Sequence, residues 1–191
     1  MEKFAFILHP LSLQDMEHLS PLMRYIPDPI IEACLKMKKP FKVSHITGIK
    51  SPYAEAEGWF IGCPLTAKQM VELPEEFVMD RIIESGKVAQ ELGAKIVGLG
   101  AFTSIVGDAG ITVAKNLDIA VTSGNSYTVA TAIQGTKQAA RMMGKDLKEC
   151  RAVVVGATGS IGAASVRLLA KEVKHLSLIH ISEPTRRTPI S

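Results

Sequence analysis

The stretch RAVVVGATGSIGAASVRLLAKEV, residues 151–173, sets Gly156, Gly159 and Gly162 at G-x-x-G-x-x-G spacing between an apolar run and an alanine-rich run. Where a strand turns into a helix, each glycine has a task. The first permits a sharp bend, the second lets backbone approach a diphosphate, and the third lets helix and strand pack closely. Backbone amides from Gly156 through Ala157, Thr158, Gly159, Ser160, Ile161 and Gly162, together with the positive helix N-terminus, would then attract phosphate oxygens. Thr158 and Ser160 add hydroxyls. The bland alternative is a tight strand-to-helix connection with no ligand; the apolar strand before the glycines and the helix after them favour the nucleotide-binding reading.

Two upstream loops carry small hydrogen-bonding side chains. GLGAFTSI (98–105) follows one predicted strand, and TSGNSYTVA (122–130) follows another and opens a helix. Thr103, Ser104, Asn125, Ser126 and Thr128, with the backbone of Gly124, could contact an acyl carbonyl or a nicotinamide amide. Equally, Asn125 or Ser126 could cap the following helix, and Thr103 could close a turn. His9, at the end of the predicted first strand, could polarise or orient a substrate, or be an ordinary loop histidine with a backbone partner. His18, His45 and His175 have no metal-ligand spacing, so no metal site is expected.

The elements that must position these groups follow from periodicity. Phe4 to Leu8 reads as a buried strand, and Leu13–Met23 and Asp28–Lys38 as short helices, the second with Pro29 near its start and Cys34 on its core face. Residues 41–63 alternate as a hairpin around a turn placed at Lys50–Gly58. Glu75 to Leu92 is the longest helix of the first half, with Gly93 as its C-terminal stop. Lys95–Leu99 and Asp118–Thr122 read as parallel strands with functional loops at their C-terminal ends, Arg151–Val155 as a buried strand, and Ser126–Met143 and Ala163–Val173 as helices. Strands alternating with helices mean an α/β fold with a mainly parallel sheet.

The chain has 191 residues, 47% of them hydrophobic, enough for a real core. A net charge of +3, dispersed along the chain, argues against a nucleic-acid partner. Cys34, Cys63 and Cys150 are odd in number and lack a CxxC pair, which argues against disulfides and zinc and for a reducing, cytoplasmic setting. Cys63 could face a substrate cleft, although a buried structural thiol is the plainer role. The N-terminus fails as a secretory signal, and no run approaches the ~18 apolar residues of a membrane span. From Leu176 to Arg186 the chain reads LSLIHISEPTR, which is one reading frame of the common transposase-end sequencing adapter; the eleven residues agree throughout. Residues 176–191 are therefore read as adapter-derived, Glu183 receives no role, and 1–175 is read as the N-terminal piece of a longer protein.

FAFILHPLSL, EGWFIGCPLT, GAFTSI, TSGNSYTVATAI and VVVGATGSIGAASVRLL occur in the order found in the long-chain acyl-acyl-carrier-protein reductases, and the chain resembles that family over most of residues 4–173. The resemblance implies an N-terminal α/β substrate domain (1–125), a connecting helix (126–145) and the first strand, turn and helix of a truncated Rossmann NAD(P)-binding domain (146–175). It also implies NADPH as cofactor, acyl carrier protein or coenzyme A thioester as substrate, and fatty aldehyde as product. In the family a cysteine takes the acyl group before hydride transfer. That cysteine lies beyond the glycine turn, so none of the three present inherits the role. The fragment alone is expected to be inactive. The rival expectations are a shikimate-dehydrogenase-like NAD(P)-dependent alcohol dehydrogenase and a non-catalytic nucleotide-binding sensor.

Overall fold

The computed structural model describes residues 2–17 and 24–180, with the backbone alone at Met16 and Glu17. The chain divides into two compact units, Met1–Ser123 and Gly124–Ser191.

In the first unit, strands β1 (Glu2–Leu8), β2 (Phe41–Lys50), β3 (Glu55–Gly62), β4 (Ile96–Leu99) and β5 (Ala120–Thr122) form one sheet in the order β2-β3-β1-β4-β5. β1 runs parallel to both β3 and β4, and β5 is parallel to β4; only the β2–β3 hairpin is antiparallel. This is the mixed α/β architecture expected from the sequence. Alternation along the strands sends Ala5, Ile7, Trp59, Ile61, Val97 and Leu99 to one face, where they bury with Val78 and Ile82 of helix α4 (Glu75–Glu91). The preceding single turn α1 (Gln14–Glu17) realises only the start of the helix expected at Leu13–Met23, and residues 18–23 lie outside the described residues. Helix α2 (Asp28–Met37) begins after Pro27, with Pro29 in its first turn, and buries only Ile31 and Leu35.

The hairpin turn is tighter than expected. It occupies residues 51–54, where the Ser51 Oγ accepts from the Ala54 amide at 3.0 Å, so Glu55–Gly58 already belong to β3. Between the hairpin and α4 stands helix α3 (Ala67–Glu72), which periodicity had not revealed. Its signature was nonetheless in the sequence, T-x-x-Q. The Thr66 Oγ1 accepts from the Gln69 amide at 3.2 Å and the Gln69 Oε1 accepts from the Thr66 amide at 3.1 Å, a reciprocal cap. A single turn, α5 (Ile111–Lys115), joins β4 to β5.

In the second unit, α6 (Asn125–Met142) packs Val129 and Ile133 against Leu169 of α7 (Ser160–Leu169). Strand β6 (Arg151–Val155) pairs in parallel with β7 (His175–Ile179), in register from Arg151↔His175 to Val155↔Ile179. Two expectations are corrected here. β6 is not buried: Val153 and Val155 are each 57% exposed, because this two-stranded sheet carries its helices on one side only. The helix runs from Ser160 to Leu169 rather than from Ala163 to Val173, since it starts at the glycine turn itself. β7 includes Leu176–Ile179 of the segment read as adapter-derived; its alternating Leu and Ser pair with an open parallel edge.

Among the described residues no helix is long and apolar enough to cross a membrane.

Candidate functional site

The turn between β6 and α7 separates the tasks of the three glycines. Gly156 has φ +74°, a left-handed conformation that glycine adopts without cost. A Cβ on Gly162 would lie 2.1 Å from the Gly156 carbonyl oxygen and 2.8 Å from its carbon, so the third position must be glycine for α7 to rest on the turn. A Cβ on Gly159 would meet only the Gly156 oxygen, at 3.4 Å, an ordinary contact. Internal packing therefore does not demand glycine at 159. What the missing side chain provides there is room outside the backbone.

Gly159 is the N-cap of α7, with no side-chain cap and no acidic residue in the first turn. The first intrahelical bond runs from the Ala163 amide to the Gly159 carbonyl at 2.8 Å, so the amides of Ser160, Ile161 and Gly162 precede the bonded ladder. Ala157 is buried within the turn, while Thr158 is exposed. The Asn125 Nδ2 donates to the Ser160 Oγ at 2.8 Å, which brings the start of α6 beside the start of α7 within this unit. α6 also has no acid in its first turn. Two helix N-termini without carboxylates favour an anion.

Gly124 is the N-cap of α6 with φ +75°, so Asn125 and Ser126 are its first helical residues and neither caps it through a side chain. Thr128 donates its hydroxyl to the Gly124 carbonyl at 3.2 Å. Ser126 is exposed.

The corresponding groups of the first unit are committed locally. The buried Thr103 hydroxyl donates to the Gly100 carbonyl at 2.8 Å, and the Ser104 hydroxyl to the Ala101 carbonyl at 2.7 Å, closing a 3₁₀ turn over Ala101–Ser104. Thr103 thus closes a turn, the plainer of its two sequence readings. His9 bridges the end of β1 to this turn: the Phe102 amide donates to its Nε2 at 3.1 Å, leaving the proton on Nδ1, which donates to the Pro10 carbonyl at 3.0 Å. Both ring nitrogens are spent on backbone.

Cys63 is fully buried, and desolvation pushes its thiol up to about 11 against the opposing hydrogen bond from Ser85. It remains a thiol at neutral pH and is no nucleophile. Cys34 departs from expectation: it is exposed rather than on a core face, because α2 buries only the stripe of Ile31 and Leu35. It lines a cavity of about 560 Å³ between α2 and the sheet, together with Leu8, Ile30, Phe41, Val43 and Pro64. Sequence reading missed this cavity. Its lining comes from four separated segments, and the only local hint was the apolar surplus on α2. Among the described residues no group of His, Cys, Asp and Glu could hold a metal.

No family model matches the chain. It is 26% identical over 183 residues to a long-chain acyl-[acyl-carrier-protein] reductase of Synechococcus elongatus, covering 87% of this chain and 51% of the reductase. It is 33% identical over 139 residues to the aminotransferase PigE of a Serratia species, covering 73% of this chain and 16% of that protein. The chain thus spans at most about half the length of these relatives, both named as enzymes. Among solved structures, an aspartate racemase homologue from Pyrococcus horikoshii covers 96% of this chain and 66% of its own, at 15% identity and a TM-score of 0.39.

Proposed function

We propose that the chain belongs to an oxidoreductase that reduces a long-chain fatty acyl thioester, carried on acyl carrier protein or coenzyme A, to the aldehyde. The observation that carries this reading is the division of labour among the glycines. Gly156 and Gly162 are required by the fold, whereas Gly159 leaves a space that internal packing does not need. The similarity to a named acyl-[acyl-carrier-protein] reductase supplies the reaction class. The aminotransferase name belongs to a protein of which the aligned stretch is 16%.

NADPH, when bound, would supply hydride to an acyl group first transferred from its carrier to a cysteine, the carrier thiol leaving at that transfer and the cysteine thiol leaving with a proton as the aldehyde is released. The chain's own part is to hold and orient. Amides of Ser160, Ile161 and Gly162 receive the diphosphate at the N-terminus of α7. The Asn125–Ser160 bond fixes the Ser160 hydroxyl at that entrance. His9 keeps the Ala101–Ser104 turn against β1, a positioning role. The acyl-accepting cysteine is not assigned to Cys34, Cys63 or Cys150. Leu176–Ile179 of the segment read as adapter-encoded lie in β7, the strand after α7.

The test is NADPH titration and aldehyde formation from an acyl-carrier-protein thioester by the polypeptide of the uninterrupted gene. Saturable binding with aldehyde release is expected. Absence of affinity for either nicotinamide coenzyme would end the proposal.

A further inference from the structure

In the second unit, the end that carries the glycine turn differs in charge from the other end. Among the described residues from Gly124 to His180 the acidic side chains are Asp146, Glu149 and Glu172. Asp146 and Glu149 precede β6 and Glu172 follows α7, so all three lie at the end away from the turn. Glu149 and Glu172 are paired there with Lys174 and Lys137. The turn end keeps no carboxylate.

Two side-chain contacts fix the direction of the helices. Asn125 of α6 meets Ser160 of α7, and Lys137 meets Glu172 twelve positions further along each segment, so α6 and α7 run side by side with both N-termini at the turn. Parallel neighbours add their positive ends instead of cancelling them. In α6 the first bond runs from the Thr128 amide to the Gly124 carbonyl at 3.0 Å. The amides of Asn125, Ser126 and Tyr127 therefore precede its ladder, as those of Ser160, Ile161 and Gly162 precede that of α7.

At the seam the half-buried Asn125 donates from Nδ2 to the Ser160 Oγ at 2.8 Å. An amide N–H can only give, so the hydroxyl oxygen is the acceptor and its own proton must point elsewhere. Among the described residues that proton meets no acceptor, and Ser160 is exposed. We propose that Asn125 is a positioning residue for the coenzyme: it touches no phosphate, and it holds the Ser160 hydroxyl so that its proton points at the diphosphate beside the Ser160 amide. The proposal rests on the reductase reading for the presence of a diphosphate, and on the acid-free seam for the charge that is welcome there. It replaces the direct contact with an acyl carbonyl or a nicotinamide amide expected of Asn125 from the sequence.

NADPH dissociation constants are measured by fluorescence titration for the polypeptide of the uninterrupted gene and for its Asn125→Ala, Ser160→Ala and doubly substituted forms. Ser160→Ala removes a hydrogen bond to a charged group and is expected to weaken NADPH about tenfold; Asn125→Ala leaves the hydroxyl unguided and is expected to weaken it about threefold. The doubly substituted form should bind as Ser160→Ala does, because Asn125 acts only through that hydroxyl. Inorganic pyrophosphate, used to displace NADPH, should lose affinity by the same factors, since it carries the phosphates without the nicotinamide. Asn125→Asp keeps the shape, but its carboxylate takes the Ser160 proton for itself. A carboxylate in the first turn of α6 favours the helix, so urea unfolding of the 191-residue chain should show stability at or above the parent while NADPH binds more than about tenfold more weakly. A merely structural Asn125 would move stability and affinity together.

Additive losses in the doubly substituted form overturn the proposal. So does pyrophosphate affinity that holds while NADPH affinity falls, which would make Asn125 a contact of the nicotinamide end. If the unsubstituted polypeptide binds neither nicotinamide coenzyme, the reductase reading falls and this one with it; if it binds NADPH and Asn125→Ala binds as tightly, this one falls alone.

Discussion

Substituting the glycines of the turn one at a time tests whether they divide their labour as the geometry states. In Gly162→Ala the new methyl would stand 2.1 Å from a backbone oxygen where about 3.4 Å is ordinary contact, so α7 must retreat by about 1.3 Å or the turn must open. Both colliding partners are backbone, which cannot rotate away as a side chain can. Overpacking of this kind costs about 1–3 kcal/mol. In Gly159→Ala the methyl meets only an ordinary 3.4 Å contact, and φ at −68° suits alanine. The lower entropy of the unfolded chain and the poorer N-cap then offset each other to within about 1 kcal/mol. Urea unfolding of the 191-residue chain, followed by far-ultraviolet circular dichroism, should place Gly162→Ala well below the parent and Gly159→Ala close to it. In the polypeptide of the uninterrupted gene the ranking inverts for ligand: Gly159→Ala should weaken NADPH about tenfold or more, equivalent to ~1.4 kcal/mol, because its methyl fills the space where a diphosphate would approach. Wild-type affinity in Gly159→Ala, or parental stability in Gly162→Ala, would refute the reasoning.

Three further outcomes follow from the first unit. Because burial raises the Cys63 thiol from 9.0 to about 11, the folded state holds a proton that the unfolded chain has released; stability is intact below pH 9 and should fall by up to about 1.4 kcal/mol per pH unit between 9 and 11. Cys63→Ala should remove that slope in alkaline unfolding curves, and an unchanged slope would assign it to another group. A Cβ at position 100 would strike the Ile7 carbonyl oxygen at 2.5 Å, whereas one at 98 would strike the partly exposed Phe6 ring at 2.5 Å. Thermal melts should therefore rank Gly100→Ala as more damaging than Gly98→Ala, since a ring can swing outward and β1 cannot. His9→Ala leaves the half-buried Phe102 amide without its acceptor and should cost about 1–3 kcal/mol in urea unfolding; a variant as stable as the parent would show that the bridge contributes nothing.

Local chemistry made a good part of this molecule readable from its residues alone. The strand-glycine-helix turn at 151–169, the hairpin, helix α4 ending before Gly93, and the alternation that calls for an α/β fold all depend on neighbours within a few positions, where backbone sterics and side-chain period act directly. The reciprocal cap Thr66–Gln69 was equally local and could have been read. What lay beyond the sequence depended on partners far along the chain. His9 could orient a substrate or hold a backbone partner, and the second reading was decided by the Phe102 amide, 93 residues away, which donates to its Nε2; Thr103 was decided more locally, its hydroxyl going to the Gly100 carbonyl as that of Ser104 goes to Ala101. Cys63 is buried, the plainer of its two readings, whereas Cys34, expected on a core face, is exposed, because the same apolar spacing cannot say which stripe of α2 meets a sheet and which roofs a cavity. Period and propensity specify which face of an element is apolar; only packing decides what that face covers, and whether the space beneath it is filled.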